Sequence, residues 1–173
     1  HDKAANLCKL CAEAYERIKV SDPDRGPVTP PGSLLKIIEA RQGQGCSLAE
    51  TGQPKFGELK RDVLKQAVAA YELAIGKCEE YVKEIAYPAS IDGWEADKET
   101  LREGYAGMTV SLIRQTEILE KLGDTPGLEA AYRRLGESYA RESELEENEV
   151  FAGGDLKRAQ EAFRKADECR KKL

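Results

Sequence analysis

Tyr132-x-x-Leu135-Gly136-x-x-Tyr139, followed by Ala159-x-x-x-Phe163-x-x-Ala166, decides the reading of this chain. On a helix, Tyr132, Leu135, Gly136 and Tyr139 share one face, with large groups set around a gap. Ala159, Phe163 and Ala166 give a second helix a small-large-small face. The two patterns predict a helical hairpin with the knob of one helix over the gap of the other. A single hairpin cannot bury both its faces, so more helices are required.

Working outward, Thr125 is expected to cap the first helix, with Pro126 at its first position and an end near Glu147. Gly153-Gly154 reads as the turn and Asp155 as the cap of a last helix to about Lys172. Upstream, a helix runs from near Glu95 to Leu122 and stops at Gly123-Asp124-Thr125-Pro126. Gly104 and Gly107 weaken it, each by about 1 kcal/mol relative to alanine, or admit a close neighbour. Residues 58–87 carry the longest apolar stripe, through Leu64, Ala67, Val68, Tyr71, Ala74, Ile75, Cys78, Tyr81, Val82 and Ile85. Pro88 ends it, and Ala89 to Trp94 reads as a turn.

The first helix is expected over Ala4 to Val20, burying Leu7, Cys8, Cys11, Ala14, Tyr15 and Ile18. Four prolines between Ser21 and Gly32 break it. A short helix follows, Leu34 to Arg41, with Ser33 as cap; Gly43-Gln-Gly45 closes it and Cys46 to Gly57 is a loop. The expectation is one all-α domain over 1–173. Helices at 4–87 are interrupted by a long Pro/Gly-rich loop region, 21–57. Helices at 95–173 include the hairpin at 126–172. Five long helices and one short one should pack as antiparallel neighbours.

Composition agrees. The chain has 173 residues, 40% hydrophobic and 34% charged, and is rich in good helix formers. Val, Ile and Thr rarely alternate with polar residues, so a sheet is not expected. The net charge of −5, with both signs interspersed, argues against nucleic acid as the main partner. No apolar run approaches the roughly 18 residues of a membrane span. No signal peptide is visible. The start at His1 reads as processing or a fragment. Five cysteines without a scaffold rhythm favour a reducing, cytoplasmic setting, although export after signal removal would leave the same trace.

The hairpin residues resemble the tetratricopeptide repeat over 128–172: an aromatic, Leu-Gly and Tyr on the first helix, then Ala, Phe and Ala on the second. Tyr132 stands where tryptophan is usual. Gly154 lies where the family has its turn glycine. The chain departs from the family between Tyr139 and Ala159, where about 11 extra residues include an acidic stretch, 142–151. Either the helix is extended there or an acidic loop protrudes. A looser match pairs Cys8-x-x-Cys11-Ala12-x-x-Tyr15 with Ala67-x-x-x-Tyr71-x-x-Ala74, a pattern that also fits three-helix adaptor modules. The resemblance implies a helical array that binds a partner peptide or helix in a groove lined by first helices. Lys9 and Arg134 fall at places like those of the family's carboxylate clamp. Glu13 and Ala130 stand where that clamp wants Asn and Lys, so the chaperone-tail version is not supported.

Chemistry finds little footing. His1 is the only histidine, and no nucleophile has a held base near it. Adjacent carboxylates such as Glu79-Glu80 point to different sides of a helix. Gly43-Gln-Gly45 lacks the context of a phosphate loop. Cys8-x-x-Cys11 has metal and redox spacing, but it equally suits a packed helix face. The basic C-terminal run, Lys157 to Lys172, reads as a solvated face. Trp94, at a loop-helix junction, and Tyr105, near two glycines, read as structural staples, with interface hot spots as the alternative.

The function expected is therefore a non-catalytic scaffold or adaptor, not an enzyme, with no cofactor and another protein as partner. Its binding face is expected at Lys9, Glu13, Arg133, Arg134, Glu137 and Arg141. The alternatives are a bundle with metal or small-ligand function through Cys8 and Cys11, or a self-assembling homo-oligomeric subunit.

Overall fold

A computed structural model describes residues 2–22, 26–53, 58–86 and 97–173. The protein is all-α, with six helices and one small hairpin among those residues. In order they are α1 (Asp2–Glu16), β1 (Val20–Asp22), β2 (Gly26–Val28), α2 (Pro31–Gly52), α3 (Arg61–Ala86), α4 (Lys98–Leu122), α5 (Thr125–Leu145) and α6 (Glu149–Arg170). They form two compact units, His1–Glu84 and Ile85–Leu173. Neighbouring helices pack as pairs, giving a helical array. Pro88, Ala89 to Trp94 and Glu95 lie outside the described residues.

In the first unit, the segment expected to be mostly loop is largely helix. Pro31 sits in the first turn of α2, where its missing N–H costs nothing. Pro30, not Ser33, holds the cap position. The helix then runs through Gly43 and Gly45 to Gly52, correcting the expected turn at Gly43-Gln-Gly45 and the loop after it. These glycines admit neighbours. A Cβ on Gly45 would lie 2.7 Å from the Tyr71 ring, and one on Gly52 would lie 2.6 Å from Leu64. Thus α3 sets Leu64 and Tyr71 against α2, and Ala67 and Ala74 in the same pattern are buried. The looser match had paired that pattern with α1. The predicted stripe of α3 is otherwise observed, with Leu64, Ile75, Cys78 and Tyr81 also buried.

The first helix is corrected twice. It ends at Glu16, and Val20 begins the antiparallel pair β1–β2, which closes where Gly26 takes φ +78°. Its buried face is also not the one expected. Ala5 and Ala12 are in the core, whereas Leu7 is 63% and Leu10 52% exposed, with Cys11, Ala14, Tyr15 and Ile18 also exposed. The small side lets α2 come close: Cys8 Sγ is 3.2 Å from where a Gly43 Cβ would sit. Arg41, buried on α2, reaches Glu16 at 3.1 Å and Gln44 at 3.1 Å.

The second unit contains α4, α5 and α6, with α5 packed against both others. Asp97 caps α4 by accepting from the Glu99 and Thr100 N–H groups. Gly123 closes it at φ +68°, a left-handed position that suits glycine. The cap of α5 is Asp124, not Thr125; it accepts from Gly127 N at 3.0 Å. The extra residues after Tyr139 extend the helices: α5 continues to Leu145, and α6 starts at Glu149 under an Asn148 cap. Gly153 and Gly154 lie within α6, and Asp155 is a buried helical residue, so the expected turn and cap there do not hold.

The knob and gap are as the pattern predicts. A Cβ on Gly136 would lie 2.7 Å from the Phe163 ring, with Ala159 and Ala166 buried on either side. The α4–α5 seam is polar. Ser138 Oγ donates to the Tyr105 carbonyl at 3.1 Å and lies 2.8 Å from Thr109 Oγ1, which also bonds Glu142. Each hydroxyl carries one proton. If Ser138 gives its proton to Tyr105, all three links are satisfied only when Glu142 is protonated and donates to Thr109. Burial likewise pushes the Glu142 carboxyl above its ordinary value.

Candidate functional site

The second unit holds an open groove of about 550 Å³ that runs along α5 between α4 and α6. Its floor is Tyr132, Leu135 and Tyr139, with Ile113 from α4 and Ala162 from α6. The α4 wall carries Glu117 and Glu120; the α6 wall carries Lys157, Arg158, Glu161 and Lys165.

The local geometry follows from the large-gap-large pattern. Gly136 brings α6 close through Phe163. Tyr132 and Tyr139 lie on the same helix face and cannot be approached so closely. They remain between the walls as an aromatic floor, Tyr132 mostly buried and Tyr139 half-buried.

Each ring is fixed. Tyr132 Oη donates to Glu120 Oε1 at 2.6 Å. Burial, and then that carboxylate, push the Tyr132 phenol upward, so it remains a neutral donor. Lys165 Nζ stands 5.2 Å from the Tyr132 ring centroid, and the Arg158 guanidinium 5.9 Å from that of Tyr139. Cations over ring faces are held by the π quadrupole. Burial also raises the Tyr139 phenol, against the lowering effect of Arg158.

The residues expected to bind a partner lie elsewhere. Lys9 and Glu13 are on α1 of the first unit, 3.8 Å apart as a surface pair. Arg133, Arg134, Glu137 and Arg141 are on α5. At 100° per residue they point away from Tyr132, Leu135 and Tyr139, on the side opposite the groove. Arg133 pairs with Glu129 at 2.6 Å and Arg141 with Glu144 at 2.7 Å, both within the helix. Surface pairs of this kind contribute little.

The cysteine pair is divided by environment. Cys8 faces the α1–α2 seam and Cys11 faces solvent. Among the described residues, no group of three or more His, Cys, Asp or Glu side chains is placed to hold a metal ion. Burial pushes the Cys78 thiol up to about 12, which makes it a packing residue and a poor nucleophile. Among the described residues, no helix is long and apolar enough to cross a membrane.

The sequence reading placed Tyr132 and Leu135 in the core, where the structure has them; it did not anticipate the groove because Tyr139 is only half-buried and no motif pointed to α4. The available signal was the charge flanking the apolar stripes: Glu117 and Glu120 on one helix, Lys157, Arg158 and Lys165 on the other. No known family model matches the chain, and neither the curated proteins nor the solved structures contain a significant match.

Proposed function

We propose that this chain is a non-catalytic interaction module that binds a partner peptide or helix in the groove over α5. The supporting observation is a groove between two charged walls, in which Ile113 and Tyr139 are partly exposed over a floor completed by the buried Tyr132 and Leu135. Exposed apolar surface rimmed by charge is the usual form of a protein-binding site, and Tyr is enriched at binding hot spots. The hairpin packing at Gly136 and Phe163 supports kinship with the tetratricopeptide repeat. Gly154, placed within α6 rather than in a turn, weakens that kinship.

The test is selection of helical peptides from a random library on the full chain. Binders should be lost in Ile113→Glu, which puts a charge on the floor, and kept in the Arg134→Glu/Arg141→Glu double variant, which alters only the opposite face. Loss in the second variant and not the first would move the site to the polar face. Selection of no binders would reject the module.

A second reading, self-assembly, is favoured by the outward α1 face, where Leu7 and Leu10 are exposed. Light scattering should then show a fixed oligomer that Leu7→Glu/Leu10→Glu converts to monomer.

A further inference from the structure

We infer that the occupant of the groove is an amphipathic helix with a split polar edge, basic along one flank of its apolar stripe and acidic along the other. This rests on the groove reading above and names the chemistry of its partner.

The length of the groove sets the first constraint. From Tyr132 to Tyr139 the floor rises about 10 Å at 1.5 Å per residue, two helical turns. That accommodates apolar anchors at i, i+4 and i+7 of a helix lying along α5. The walls are helices whose backbone groups are already bonded, so they offer no strand edge to an extended peptide. A peptide burying its main chain there must satisfy its own N–H and C=O groups, which a helix does.

Charge sets the second constraint. The α4 wall presents Glu120, with Glu117 already paired to Arg114 at 3.1 Å, and the α6 wall presents Lys157 and Lys165, with Arg158 already paired to Asp155 at 2.9 Å. Glu161, the acid on the α6 wall, is bound by Arg164 at 2.5 Å, which also holds its carboxyl below the usual range. Lys165 and Arg158 lean over the floor rings, so an acidic flank meets cations at the edge of the apolar surface. A helix with flanks of one sign would be repelled along one wall. The split also fixes direction, because turning the helix end for end exchanges its flanks.

The experiment uses three synthetic helical peptides with one leucine stripe and either Lys/Glu, Glu/Glu or Lys/Lys flanks. Binding to the full chain is read by fluorescence anisotropy at low and moderate salt. The split peptide should bind about tenfold tighter than either single-sign peptide. Glu117→Lys/Glu120→Lys makes both walls basic and should shift the preference to the Glu/Glu peptide. Lys157→Glu/Lys165→Glu makes both acidic and should shift it to Lys/Lys, and it serves if the first variant does not fold. Equal affinity for all three peptides, abolished by Ile113→Glu, would overturn the charge inference and leave the groove standing. Absence of binding, or binding indifferent to Ile113→Glu, would overturn both.

Discussion

Replacing Gly136 by alanine tests the packing on which the second unit depends. The added Cβ would lie 2.7, 2.8 and 2.9 Å from three atoms of the Phe163 ring, closer than side-chain carbons approach one another. Overpacking of this kind costs about 1–3 kcal/mol. Helix propensity acts the other way and returns about 1 kcal/mol for glycine to alanine inside a helix. The net expectation is a loss of up to about 2 kcal/mol. Gly153→Ala isolates the propensity effect in the same unit, because it is exposed within α6 and nothing lies within 4 Å of its Cβ position. It should gain about 1 kcal/mol. The two variants should therefore differ by about 1–3 kcal/mol, near 1 M in urea midpoint for a domain of ordinary m-value. Urea unfolding followed by circular dichroism measures this. In a Phe163→Ala background the ring is gone, and Gly136→Ala should behave like Gly153→Ala. If Gly136→Ala gains as much as Gly153→Ala with Phe163 present, the knob-and-gap account is refuted.

Glu142→Gln tests the polar seam. A carboxyl whose folded value lies above the ordinary 4.5 destabilises the fold while ionised, and the fold gains stability as pH falls through that raised value. The variant should match or exceed the wild type in melting temperature at pH 7, with the difference shrinking as pH approaches 4.5. A wild type favoured increasingly toward neutral pH would reverse the assignment. In the first unit, Leu34→Ala should cost about 2–5 kcal/mol because its side chain is fully buried, whereas Leu10→Ser should stay within about 0.5 kcal/mol; equal losses in urea unfolding would mean that the outward face of α1 is covered. Alkylation followed by mass spectrometry should label Cys11 and Cys46 in the native protein, and reach Cys78 and Cys169 only on unfolding.

The fold class and most helices can be read from apolar periodicity, and the reasons for the failures are specific. Glycine has two opposed uses. It ends helices by taking a left-handed backbone, as Gly123 does at φ +68°, and it admits a neighbour from within a helix, as Gly45 admits Tyr71. Only the partner distinguishes these cases, and the partner is distant in sequence. This is why α2 looked short. Periodicity found a face on α1 but not its direction. The small residues Ala5 and Ala12 were chosen for the core because α2 lies close to them, a tertiary fact that propensity does not carry. The expected binding residues were polar positions beside a helical core. The structure places them on α1 and on the side of α5 away from the groove, whose walls come from α4 and α6 and are displayed by no single stretch of sequence.

The two units use one device. In each, a glycine on the middle helix receives an aromatic ring from the third, and that ring sits in an Ala-x-x-x-aromatic-x-x-Ala pattern: Gly45 with Tyr71, and Gly136 with Phe163. In the second unit the same device also shapes the groove. Gly136 lets α6 approach at Phe163, and Tyr132 and Tyr139 hold the surface open beside it, with Lys165 and Arg158 over their rings. The spacing between α5 and α6 therefore sets both hairpin stability and groove width. A Cβ at Gly136 that pushes α6 outward would move those cations off the rings and widen the floor. Gly136→Ala should thus weaken groove binding by more than its stability loss alone would require, while Gly153→Ala leaves binding unchanged.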